Sequence, residues 1–132
     1  MRLWLKGMTV EQAIHYWHGG QRGLSVGDYI LPPARTGAPA TSDYAKRIAG
    51  GEVMRADRVY ITTDPDAALM FAAMHPSGGT VYRVDPVGEL VHDPDCDTPG
   101  LSFECERARI LSKRNVTGYE MKKIRRALMG AA

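Results

Sequence analysis

Apolar and polar positions alternate with a period of two in several short runs, the mark of strands with one face buried. The runs 13–18, 58–62, 80–85 and 108–116 are rich in β-branched and aromatic residues and predict at least four strands. In R-V-Y-I-T-T the alternation sets Val59 and Ile61 on one face and Tyr60 with Thr62 on the other. Helical spacing has recognisable ends in two places. D-P-D-A-A-L-M-F-A-A-M-H offers Asp64 as N-cap, Pro65 at the first helical position, good helix formers, and Gly78-Gly79 beyond. Thr117 and Glu120 have the spacing of a capping box and open a basic helix over 117–129, with Met121, Ile124 and Leu128 on one face. Shorter helical turns are suggested at 42–49 and by Thr9 with Gln12, and the Pro- and Gly-bearing stretch 31–42 reads as a surface loop. Strands and helices do not alternate strictly. The expected class is α+β, a mainly antiparallel, curved sheet with few short helices.

Composition narrows this picture. The chain has 132 residues, 44% apolar and 24% charged, which fits one globular domain spanning 1–132 and not a disordered segment. No apolar run approaches the length of a membrane span, and 1–7 lacks the apolar core of a secretory signal, so a cytoplasmic protein without a membrane partner is expected. Cys96 and Cys105 belong to no tight Cys/His cluster, and no metal is expected. The net charge of +2 argues against a whole-molecule grip on nucleic acid. Its distribution is uneven, with carboxylates from Asp85 to Glu106 and Lys122, Lys123, Arg125 and Arg126 in the last helix.

Three segments carry candidate chemistry. Y-W-H-G-G ends a β-type run in His18 followed by Gly19 and Gly20; a strand fixes the imidazole, and glycine lets a ligand approach backbone groups. Alone it also reads as a strand running into a turn. Tyr60 faces away from the aliphatic side of its strand, where it can stack on a flat ring or pack like any strand tyrosine. V-H-D-P-D-C-D is an acidic loop whose carboxylates suit a developing cation, or are a solvated turn. EF-hand, Walker, H-E-x-x-H and G-x-S-x-G patterns are missing from the sequence.

Taken in order, H-G, then V-Y-I-T-T before a helix, then V-Y-R-V-D-P-V-G-E-L-V-H-D-P resemble the rifamycin ADP-ribosyltransferase family, within the wider ADP-ribosyltransferase fold. The likeness runs from Tyr16 to about Ile110 and includes L-S-V-G-D-Y-I, similar to an L-x-x-G-D turn, and Ser102 ahead of the strand near Arg109. It implies an NAD-dependent transferase that cleaves the nicotinamide–ribose bond and needs no metal. His18 would contact the NAD⁺ ribose, Gly19 and Gly20 the carboxamide edge, and Tyr60 the nicotinamide ring, with Thr62 and Ser102 completing the cofactor site. Asp93, before Pro94, would be the catalytic carboxylate, with Asp85 before Pro86 as its competitor. The acceptor is left open, a rifamycin-like small molecule or a macromolecule. Gly20 stands where the family often has threonine, and 32–57 and the basic helix lie outside the pattern. Two other readings are a non-catalytic NAD or ADP-ribose binding module and an RNA 2′-phosphotransferase-like enzyme whose basic tail meets phosphates.

Overall fold

The structure, a computed structural model, describes residues 14–33 and 57–130. The helical turns expected at 9–12 and 42–49, and the loop from 34 to 42, lie outside the described residues. The elements run β1 (Tyr16–Gln21), β2 (Tyr29–Ile30), β3 (Val59–Thr62), α1 (Pro65–Ala73), β4 (Gly79–Val87), β5 (Val91–His92), β6 (Ser102–Cys105), β7 (Arg107–Asn115) and α2 (Gly118–Leu128). The seven strands form one antiparallel sheet in the order β2-β7-β4-β1-β3-β6-β5. This is the α+β class, mostly sheet with few short helices. Between β4 and β7 the register slips at Arg83/Val84, and such a bulge bends the strand that carries it.

Each face of the sheet buries its own cluster. One face gathers Ile30, Val59, Ile61, Tyr82, Val84, Cys105, Ala108 and Ile110, with Tyr16 and Phe103 packed against them. The other is covered by α1 and α2, where Ala68, Ala72, Ala73, Val81 and Val116 meet Trp17, Leu69, Met121 and Ile124. The helix sits unusually low on this face, and two glycines explain why. A Cβ on Gly19 would lie 1.8 Å from the carbonyl oxygen of Ala68, and one on Gly79 2.2 Å from that of Ala72. Ala68 and Ala72 are one helical turn apart, so two strand positions without side chains seat two successive turns of backbone.

Both helices begin as the sequence requires. The Asp64 side chain accepts from the Asp66 N–H, with Pro65 at the first turn, and Thr117 and Glu120 form a reciprocal capping box. The C-terminus of α1 is closed from outside its own segment: Arg125 of α2 donates through Nε to the Ala73 carbonyl at 2.7 Å and through a second nitrogen to the carbonyl of His75. The Ala73 carbonyl is one that a helix end leaves without an intrahelical donor, while that of His75, just beyond the helix, also accepts from the Gly78 N–H at 2.9 Å. Arg125 is therefore a clasp between helices, while Lys122, Lys123 and Arg126 are exposed.

One sequence expectation needs correction. The strand predicted over 13–18 runs instead from Tyr16 to Gln21, so Gly19 and Gly20 lie inside β1 and not in a turn after it. Pairing of both residues with β4, opposite Val81 and Thr80, outweighs their poor intrinsic strand preference. Ser102 precedes the strand expected near Arg109, here β7, and also opens a further short strand, β6.

Candidate functional site

Strands β1 and β3 share a single paired position, Trp17 opposite Thr62. Beyond it the ladder between them stops, while β1 stays paired to β4 through Gln21. The flank of β1 from His18 onward that faces β3 thus carries main-chain groups outside the sheet ladder. His18 spans the opening: its Nδ1 donates to the carbonyl of Tyr60 at 2.7 Å. Because a carbonyl can only accept, the proton of a neutral His18 is on Nδ1 and its Nε2 offers a lone pair. Burial lowers the pKa of His18, opposed by the bond to Tyr60, so the ring is neutral at pH 7. The ring stacks toward Tyr82, with centroids 6.4 Å apart and planes 30° apart. It also lies over Gly20, where a Cβ would meet Nε2 at 2.6 Å. The His-Gly-Gly triplet has a packing logic: Gly19 admits α1 on one face, and Gly20 admits the imidazole on the other.

The contact between His18 and Tyr60 is ring to backbone. Register puts Tyr60 and Thr62 on the face of Trp17, as the alternation predicts, whereas His18 lies on the face of Tyr82. Across the next strand, Tyr60 is opposite Glu104 and Thr62 opposite Ser102. The Thr62 hydroxyl is already committed, donating to the Leu101 carbonyl at 2.8 Å and accepting from the Asp64 N–H at 3.1 Å. Ser102 donates from Oγ to Asp93 Oδ2 at 3.0 Å, and the Asp93 N–H bonds the Ser102 carbonyl at 3.0 Å. On the Trp17 face a strip thus runs from Tyr60 and Thr62 to Ser102 and Asp93, while the His18 ring lies on the opposite face and reaches Tyr60 only at its carbonyl.

Asp93 is 3% exposed, and its carboxylate is held at both oxygens, Oδ1 by the Asp95 N–H at 2.9 Å and Oδ2 by Ser102. Its carbonyl accepts from the Cys96 N–H at 3.0 Å, closing a turn with Pro94 at the second position. Asp and Pro at those positions are what such a turn favours. Asp85 belongs elsewhere, exposed on β4, three residues from Tyr82 and on the opposite face. Three inter-strand steps separate β1 from β5, about 14 Å at roughly 4.8 Å each. His18 and Asp93 do not touch directly; one extended ligand would have to reach both.

Glu104 is a carboxylate that sequence reasoning passed over. It is 3% exposed and directly opposite Tyr60. The alternation of S-F-E-C holds the signal, since it sets Ser102 and Glu104 on the face of Thr62 and Tyr60 once β6 is recognised as a strand. Among the described residues no group of three or more His, Cys, Asp or Glu is arranged to hold a metal ion, and no helix is long and apolar enough to cross a membrane. Compared with known protein families and with curated proteins, the chain matches none.

Proposed function

We propose that the chain is an NAD⁺-dependent mono-ADP-ribosyltransferase whose nicotinamide end sits at the opening between β1 and β3. The observation that carries this reading is the bond from His18 to the Tyr60 carbonyl, since it joins two motifs 42 residues apart in the order that resembles the rifamycin transferases. A neutral His18 with Nδ1 engaged presents Nε2 as acceptor for a ribose hydroxyl. Gly19 supplies main-chain polar groups for the carboxamide, and Tyr60 a ring for the nicotinamide.

In the reaction the bond from the ribose anomeric carbon to the nicotinamide nitrogen breaks, and its electron pair leaves with neutral nicotinamide. The oxocarbenium-like centre takes a lone pair from the acceptor oxygen, whose proton passes to the carboxylate. A fixed carboxylate stabilises charge that develops only as the bond stretches. Asp93 is the residue assigned to this role, and its anchoring by Ser102 and the Asp95 amide supports a preorganised position. The same anchoring favours a second reading, a module that binds NAD⁺ or ADP-ribose without turnover, because both oxygens already have donors. The RNA-directed alternative loses support from Arg125, whose guanidinium is engaged by the carbonyls of Ala73 and His75.

Incubation of the folded chain with NAD⁺ labelled in the adenylate half, together with a rifamycin or a bacterial lysate, is expected to yield a labelled product and free nicotinamide. Asp93→Asn should abolish both while leaving NAD⁺ affinity within a few fold. Saturable NAD⁺ binding with no nicotinamide released would establish the binding module instead.

A further inference from the structure

We propose that the cleft between the first turn of α1 and the β4–β7 side of the sheet is a binding subsite for a phosphate-bearing group, with the guanidinium of Arg83 as its principal donor. The cleft encloses ≈ 200 Å³, with Trp17, Asp66, Arg83, Ser112, Lys113 and Arg114 among its lining residues. Sites for drug-sized ligands run from about 300 to 1,000 Å³, so this one suits a single small group.

The sheet register builds it. Trp17, Arg83 and Ser112 are directly opposite one another on β1, β4 and β7, and Arg114, opposite Val81, is two residues along β7 from Ser112 on the same face. Arg83 is the unusual member. Its Nε is buried and meets no hydrogen-bond acceptor, and among the described residues it is in no ion pair. Neighbouring Trp17 has only a donor to offer. A guanidinium whose Nε–H faces no protein acceptor matches the paired oxygens of a phosphate, which accept from such a fork two at a time.

Arg83, Lys113 and Arg114 line the cleft against one carboxylate, Asp66. Glu120 pairs with Arg114 at 2.8 Å, and Lys113, opposite Tyr82 on the other face of the sheet, directs its Nζ to the Leu24 carbonyl at 2.9 Å, so Arg83 is the cation of the cleft with no partner among these residues. The end of α1 is not what recruits the ligand, since Asp64 already caps it. Trp17 adds a flat apolar wall, which suits a phosphate attached to an organic body and not a free ion alone. This inference does not depend on NAD⁺ being the substrate. Trp17 is nonetheless paired with Thr62, so the cleft adjoins the strip that holds the candidate site and can serve either a dinucleotide's diphosphate or a phosphate on a second ligand.

The test uses the full chain labelled with ¹⁵N, following the Arg83 Nε–H resonance, identified by its loss in Arg83→Lys. Titration with inorganic phosphate and with pyrophosphate, at ionic strength held constant with sodium chloride, is expected to move this resonance saturably. Calorimetry should find pyrophosphate affinity reduced at least tenfold in Arg83→Met and unchanged in the exposed control Lys122→Met. An Arg83 resonance that does not saturate, or equal affinity in a folded Arg83→Met, overturns the proposal; if that variant does not fold, the wild-type resonance decides. A shift caused by NAD⁺ that also blocks pyrophosphate assigns the subsite to the dinucleotide. A pyrophosphate shift that persists at saturating NAD⁺ assigns it to a second ligand. Failure to bind NAD⁺ at all leaves the pyrophosphate result standing.

Discussion

Replacing each glycine after His18 by alanine separates the two jobs that the triplet performs. In Gly19→Ala the new methyl carbon falls 1.8 Å from the Ala68 oxygen and 2.8 Å from both the Ala68 carbonyl carbon and the Ala72 nitrogen. Ordinary contacts lie near 3.5–4.0 Å, so backbone must retreat by roughly 1.5 Å or more. The retreating body is α1, whose Ala68, Ala72 and Ala73 are fully buried. Overpacking of a core costs about 1–3 kcal/mol, and displacing a buried helix belongs at or above the top of that range, about 3 kcal/mol. For a chain of this size that lowers Tm by roughly 10 °C. In Gly20→Ala the nearest atoms are Nε2 and Cδ2 of His18, at 2.6 and 2.9 Å. A side chain can rotate away, at the cost of its bond to Tyr60, about 1 kcal/mol. Gly20→Ala is thus expected to be only mildly destabilised yet to lose the protected His18 Nδ1 proton signal. Thermal and urea unfolding of both variants measure the difference. A Gly19→Ala within about 0.5 kcal/mol of wild type refutes the seating of α1 on β1, and equal losses in the two variants refute His18 as the yielding neighbour.

Other expectations follow from single contacts. Thr117→Ala removes one half of the capping box and should cost about 1 kcal/mol in urea unfolding, with Thr117→Ser near wild type. His75 is 5% exposed, and burial first, then the charges of nearby His18 and Arg125, hold its pKa down to about 4. The unfolded chain takes up that proton near 6.5, so stability should be level above that pH, fall as pH drops toward about 4, and level again below; the limit is on the order of 3 kcal/mol, reduced by screening. His75→Gln should flatten this part of the pH profile, and an unchanged slope would contradict the assignment. Arg125→Met removes the side-chain donor to the Ala73 carbonyl and leaves the His75 carbonyl with the Gly78 N–H alone, and amide exchange in α1 and α2 should quicken together.

What the sequence made legible follows from how local each signal is. Asp64-Pro65 and Thr117 with Glu120 act within one helical turn, and both helices start there. The L-x-x-G-D turn is equally local: the Ser25 N–H bonds Asp28 Oδ2 at 2.8 Å, and Gly27 takes a positive φ of 94° that suits glycine. Strands β2 and β5 have two residues each, too few to show a period, and exist because β7 and β6 pair with them. The extension of β1 through two glycines is likewise dictated by β4. At the site, the face of Tyr60 was readable from alternation. The bond from His18 to the Tyr60 backbone, the Ser102–Asp93 pair, and the juxtaposition of Glu104 with Tyr60 all depend on strand order, which local pattern does not encode. Arg83 escaped notice for the same reason, since only the register reveals its company.

The central claim, that the opening between β1 and β3 holds NAD⁺, is tested most directly by equilibrium titration of the folded chain with NAD⁺ in a calorimeter, beside His18→Ala. The account predicts saturable binding with one site per chain, weakened at least tenfold in a His18→Ala variant that keeps the wild-type fold. No saturable heat from the folded wild-type chain, or equal affinity in the two proteins, would contradict it.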